Sequence, residues 1–222
     1  AYNATFGLAI ANFLTREPWS EDPYGPPASD KHGSLFNRYQ QEIGSWSSFY
    51  NRAMNLKMQL YTPDSNHPGL IDLGNLIKAI IMDESRFSQW EDPMADEKDK
   101  KPKGHDFVGG GYTRWGLMAV GIHETSTIKA TANEILIRVF PGATGFTIGD
   151  IMYDPFLNIG AGVGHFMCAL TPNWRTSPLN HTPTWKELKD AVLNYNGSTD
   201  YKKRVWERFQ KYRESSNKII NP

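Results

Sequence analysis

A second cysteine is what this chain most plainly lacks. Cys168 stands alone among 222 residues, so no internal disulfide can form and the fold must be held by packing. Net charge is missing too: 24 Lys and Arg balance 24 Asp and Glu. That argues against a partner held by bulk electrostatics, such as duplex nucleic acid. No apolar run reaches the ~20 residues of a membrane-spanning helix, and no charged-then-apolar leader opens the chain. The six histidines are scattered without ligand spacing, which speaks against a structural zinc. His123-Glu124 begins like a zinc-protease helix, but position 127 is Thr where the second His belongs. Gly109-Gly-Gly111 and Gly160-Ala-Gly162-Val-Gly164 lack the Gly-Lys-Ser/Thr ending of a phosphate loop. No cofactor and no metal are expected.

Aromatic residues, by contrast, are plentiful: seven Trp, ten Tyr and eleven Phe. Most should fill a core, and some suit a carbohydrate cleft, where sugar rings stack on flat apolar faces. His165, three residues before Cys168, invites a Cys–His nucleophile reading. The apolar helical setting Gly164-His-Phe-Met-Cys-Ala-Leu170 favours Cys168 as a small buried hydrophobe instead.

Along the chain, residues 1–16 carry a short helical pattern that ends in the proline-rich stretch 17–30. Leu35 to Leu60 reads as an amphipathic helix with an interruption at Gly44-Ser-Trp-Ser-Ser. Glu91 to Gly104 is charged and aperiodic, the composition of an exposed loop. Tyr112 to Met118 reads as a short extended piece after the glycine turn. Helices are expected over 126–139, Pro155–Leu170, Thr184–Asn194 and Asp200–Asn217. Thr184 to Glu187 spells a Thr-x-x-Glu capping box. The last helix carries Lys202, Lys203, Arg204, Arg208, Lys211 and Arg213, which reads as a solvated basic face. Residues 1–66 form an N-terminal helical extension packing on a catalytic domain of residues 67–222, together one compact unit.

Glu84 carries the chemistry. From Leu70 to Arg86 the pattern is helical, with Leu73, Leu76, Ile77, Ile80 and Ile81 on one face. Glu84 lies seven residues after Ile77 and four after Ile80, so it continues the stripe. A carboxyl entering a partly dry environment has its charged form disfavoured and its pKa raised, which is what a general acid near neutral pH requires. The plain alternative is a carboxylate at a frayed helix end that bends to solvent.

Four segments, in this order, resemble the soluble-type lytic transglycosylases and the goose-type lysozymes. They are Ile77-Lys-Ala-Ile-Ile-Met-Asp-Glu-Ser-Arg-Phe87, Gly116-Leu-Met118, Asp154-Pro-Phe-Leu-Asn-Ile-Gly-Ala-Gly-Val-Gly-His-Phe166 and Ala191-Val-Leu-Asn-Tyr-Asn-Gly197, the last followed by Tyr201 and Val205. The resemblance runs from about residue 70 to 206 and leaves the first 65 or so residues untouched. It implies a mostly α, lysozyme-like fold with a small extended or β segment beside the active-site cleft.

The activity implied is cleavage of the β-1,4 bond between N-acetylmuramic acid and N-acetylglucosamine in bacterial peptidoglycan, with Glu84 as the acid. Tyr195 looks like the family tyrosine whose hydroxyl approaches that carboxyl. Ser85, Asn196 and the backbone of Gly116, Leu117 and Met118 fall at substrate-binding positions. Asn158 is given a packing role, and Asn196-Gly197 also suits a turn. Ala119 stands where the family has Gln, which puts part of the family's sugar contacts in doubt. A hydrolase that inverts needs a second carboxylate, and Asp92, Asp96, Asp99 and Asp106 are available, Asp106 the favoured one. A lytic transglycosylase, which closes an anhydro ring with the sugar's own hydroxyl, is the alternative; a non-catalytic peptidoglycan-binding domain is another. The expected partner is the glycan strand, met by a monomer in the periplasm or cell wall. The absence of an initial Met and of a leader suggests a domain of a larger effector or phage protein, with an immunity partner in the effector case.

Overall fold

Five helices and three short strands make up the part of the computed structural model that is described, residues 39–59, 66–87, 104–106, 113–121, 154–173, 177 and 179–220. In chain order they are α1 (Gln40–Ala53), α2 (Leu70–Glu84), β1 (Gly104–Asp106), β2 (Thr113–Trp115), β3 (Val120–Gly121), α3 (Pro155–Leu170), α4 (Trp185–Asn196) and α5 (Thr199–Ile220). The described residues are mostly helical. The expected helices over 1–16 and 126–139, the acidic loop up to residue 103 and the Gly109–Gly111 turn lie outside the described residues.

At the centre is α2. Leu73, Leu76, Ile77, Ala79, Ile80 and Ile81 are all wholly buried, more than one stripe of the helix, as befits an element with neighbours on several sides. α1 and α5 pack against α2, α1 also meets α3, and α4 fills the space between α3 and α5. α1 precedes the boundary expected at residue 67 yet supplies the middle of the core, with Trp46 and Tyr50 wholly buried. The helix runs unbroken through Gly44 and stops at Met54, short of the expected Leu60. Asn55 and Lys57 then take positive φ of 53° and 54°, a conformation that ends a right-handed helix.

The glycines of α3 explain how closely it meets its neighbours. A Cβ on Gly160 would collide with the Trp46 ring, one on Gly164 with the Tyr50 hydroxyl, and one on Gly162 with the Met118 side chain. Close approach lets α1 side chains reach the α3 backbone: Trp46 Nε1 donates to the Phe156 carbonyl at 2.9 Å and the Tyr50 hydroxyl to the Gly160 carbonyl at 2.9 Å. Gly160→Ala should therefore destabilise by ~1–3 kcal/mol through overpacking, outweighing alanine's helix propensity advantage of ~1 kcal/mol. Gly44→Ala, where an added Cβ meets nothing within 4 Å, should instead gain roughly 0.5–1 kcal/mol. Urea denaturation of the two variants checks the contrast; equal effects would refute the close-packing account.

The capping box read at the start of α4 is present, and α3 carries a cap of its own. Asp154 caps α3, its carboxylate accepting from the Phe156 and Leu157 amides at 2.8 and 3.2 Å, with Pro155 in the first turn. Thr184 and Glu187 form the reciprocal capping box of α4. Cys168 departs from expectation: it is half-buried rather than enclosed. Among the described residues no helix is long and apolar enough to cross a membrane.

β1, β2 and β3 form one antiparallel sheet in that order, with His105 opposite Arg114 and Trp115 opposite Val120. Gly116-Leu-Met118 is not the extended segment expected of it. It is the turn between β2 and β3, entered by Gly116 at φ 76° and left by Ala119 at φ 45°. A reversal this tight needs left-handed residues at both ends.

Candidate active site

Glu84 is the last residue of α2. Ser85 closes the helix, its hydroxyl and amide both donating to the Ile81 carbonyl, at 3.1 and 2.9 Å. Arg86 and Phe87 then adopt left-handed φ of 55° and 58°, and Phe87 turns back into the core at 1% exposure. The chain thus leaves sharply, and the acid stands at the corner. Two successive non-glycine residues in this region cost roughly 1–2 kcal/mol each, so packing of Phe87 must hold the corner in place.

Around the half-buried Glu84 carboxyl four elements converge. Burial pushes it above its ordinary value of 4.5, and the neighbouring Asp83 charge adds to that. Tyr201 of α5, Arg114 of β2 and Asn196 of α4 oppose the rise by stabilising the carboxylate. Burial and the Glu84 charge together hold the Tyr201 phenol far above its usual range. It therefore remains a neutral O–H donor beside the acid, although it closes no well-formed hydrogen bond.

Tyr195 does something other than the resemblance implies. Its hydroxyl donates to the Met118 carbonyl at 2.8 Å, so its proton is committed to the β2–β3 turn rather than to Glu84. Its ring stacks on Tyr201 at 6.5 Å between centroids and lies 4.6 Å from His165. Burial, with Arg114 nearby, pushes His165 down to about 4. That ring is neutral near pH 7 and brings no charge to the cluster.

The turn itself is anchored on both sides. The Asn158 Oδ1 accepts from the Met118 amide at 3.0 Å, and a Cβ at Gly116 would strike the Asn158 side chain. Asn158 thus has the packing role expected of it. Leu117 and Met118 are wholly buried. Both backbone groups of Met118 are engaged, the amide by Asn158 and the carbonyl by Tyr195. Ser85, at 1% exposure, has its hydroxyl engaged at the helix end. Asn196 ends α4 and reaches Glu84, while the turn it was also credited with belongs to Gly197 at φ 81°.

Asp106 lies in β1, its backbone paired with Thr113, one position from the Arg114 pairing. Asp92, Asp96 and Asp99 fall outside the described residues. Sequence reasoning missed Tyr201 and Arg114 as site residues. Tyr201 was visible only as a tyrosine following the fourth segment, and Arg114 carried no signal at all. The basic run of α5 was also misread in part. Arg204 forks the Asp83 carboxylate at 3.1 and 2.8 Å, and Arg213 binds Asp72 at 3.2 Å, its guanidinium also lying over the Trp185 ring at 5.0 Å. Among the described residues no three His, Cys, Asp or Glu side chains gather where they could hold a metal ion.

No protein-family model matches the chain, and no curated protein or solved structure matches it.

Proposed function

We propose that this protein is a muramidase with a lysozyme-like arrangement of helices, hydrolysing the β-1,4 bond between N-acetylmuramic acid and N-acetylglucosamine. The observation that carries the reading is the environment of Glu84: a carboxyl at a helix corner, drawn toward its neutral form by burial and faced by Tyr201, Asn196 and Arg114. Glycoside cleavage needs a proton delivered to the bridging oxygen as the sugar becomes oxocarbenium-like. A carboxyl that stays protonated toward neutrality can deliver it, and its anion, once formed, has Tyr201, Arg114 and Asn196 to stabilise it. Asp106 is proposed as the second carboxylate, Asn196 as a sugar contact at the cleft, and Tyr195 as the tether of the turn. The working partner is the glycan strand of the bacterial wall. The setting proposed is the periplasm or cell wall.

Mass spectrometry of muropeptides released from purified walls tests the reading. Reducing ends are expected. Anhydromuramic ends would make the enzyme a lytic transglycosylase, and no release at all would leave a binding domain.

The pH profile should show a descending limb above the ordinary carboxyl range. A raised pKa means the neutral acid survives to higher pH, and activity falls as Glu84 ionises. Turbidity clearing measured across pH under folded conditions checks this. A rate that stays flat into alkali would exclude Glu84 as the acid.

A further inference from the structure

The end of α2 presents two adjacent carboxyls to the same face of α5. Tyr201, Arg204 and Arg208 are spaced three and four residues apart, so they share one side of that helix. Tyr201 faces Glu84, while the other two take Asp83. The Arg204 Nε and its terminal nitrogen donate to the two Asp83 oxygens at 3.1 and 2.8 Å, and Arg208 approaches at 3.7 Å. The Asp83 side chain is only 8% exposed, against 56% for Arg204 and 31% for Arg208. A nearly enclosed carboxylate under a planar fork is a directional contact, unlike a loose surface pair.

We propose that the Asp83–Arg204–Arg208 cluster is a positioning device for Glu84, fixing the register of α5 on the last turn of α2 and setting the charge beside the acid. The geometry gives it both tasks. Sliding α5 by one turn would carry Tyr201 away from Glu84 and break the fork together. The fork also determines how much of the Asp83 charge Glu84 experiences, because two guanidiniums neutralise a carboxylate that sits one residue away. Lysine could supply the charge but not the fork.

Among the described residues, several charged or titratable groups enter the balance at Glu84. These are Asp83 from α2, Arg114 from β2 and Tyr201 from α5, with Tyr195 of α4 acting on Tyr201. Asn196 of α4 adds an uncharged contact. Asp200 shares Arg204 with Asp83. Asp83 is both adjacent to the acid and clamped.

The inference rests on Glu84 being the acid, so the test reads Glu84 without substrate. Carbon-13 NMR titration of its carboxyl in the whole protein should give opposite shifts for two variants. Asp83→Asn removes a negative charge and leaves two guanidiniums, lowering the Glu84 midpoint by roughly 0.5–1 pH. Arg204→Ala uncovers Asp83 and raises it by a similar amount. Arg204→Lys keeps the charge and loses the fork. It should leave the midpoint within roughly 0.3 pH of wild type while wall cleavage falls through kcat rather than KM.

A merely structural salt bridge would lower thermal stability in all three and leave the midpoint still. Midpoints unmoved in Asp83→Asn and Arg204→Ala would overturn the proposal. If Asp83→Asn fails to fold, the upward shift in Arg204→Ala decides alone. Opposite midpoint shifts in a protein that releases no muropeptides would uphold the clamp and sink the muramidase reading.

Discussion

Glu84→Gln should abolish wall cleavage, losing at least the ~10²–10⁴-fold that general acid–base catalysis typically supplies, while the protein keeps its fold. The amide is nearly isosteric with the acid and keeps a carbonyl oxygen beside Tyr201, so packing at the helix corner is preserved. It cannot give up a proton to the bridging oxygen. The same substitution should leave stability unharmed, and the sign follows from burial. Glu84 is raised above its ordinary 4.5, so the folded protein favours the neutral acid. The associated stability is complete below that value and is lost as pH rises through the raised folded value. Gln suffers no such loss. Thermal unfolding at pH 7 should therefore show the variant at least as stable as wild type, with the two converging near pH 4. Full activity in purified Glu84→Gln would end the assignment.

The parts of the fold legible in the sequence are those fixed by local chemistry. α3 begins where Asp154 and Pro155 say it must, since the carboxylate caps free amides and the proline has no amide to lose. α4 begins at its capping box, and α2 follows its apolar spacing. Glu84 was legible for the same reason, because a helix stripe places its members without knowledge of any partner. The end of α2 was less so, because the left-handed pair Arg86 and Phe87 has no residue signature.

What failed to show itself depends on contacts between distant elements. Tyr195 and Tyr201 are both tyrosines beside one turn, and nothing local says which hydroxyl meets Glu84. Tertiary packing settles it: the Met118 carbonyl takes Tyr195, which leaves Tyr201 for the acid. The Gly160, Gly162 and Gly164 run could be refused as a phosphate loop from its ending. Its actual use, admitting Trp46, Met118 and Tyr50 to the α3 backbone, requires knowing which helices cross there. Gly116-Leu-Met118 reads as extended from its residues because a turn that needs positive φ at Ala119 leaves no trace in the residue type. Arg204 and Arg208 looked like surface charge for want of knowledge that Asp83 lies beneath them.

Asp106→Asn should lower the cleavage rate by ~10²–10⁴-fold, the usual worth of a general base. The reason is what hydrolysis demands beyond Glu84. An acid that protonates the leaving oxygen does not by itself activate a water on the opposite sugar face, and inverting enzymes assign that to a second carboxylate. A transglycosylase avoids the requirement, because the sugar's own 6-hydroxyl attacks and one carboxyl serves both proton transfers. Asp106 is the described aspartate of the region between Glu84 and the turn. Its β1 backbone pairs into β2 beside the position of Arg114, the strand whose guanidinium acts on Glu84. The sheet thus ties this segment to the site, a tie the local sequence does not provide. Asp92→Asn, Asp96→Asn and Asp99→Asn, made in parallel, should stay near the wild-type rate. Each variant is to be assayed by initial rate on purified walls and by the ends of its products. Reducing ends should persist in the residual activity of Asp106→Asn, since slower water attack still yields them. If all four replacements leave rate and products unchanged, the two-carboxylate mechanism fails and Glu84 acts alone.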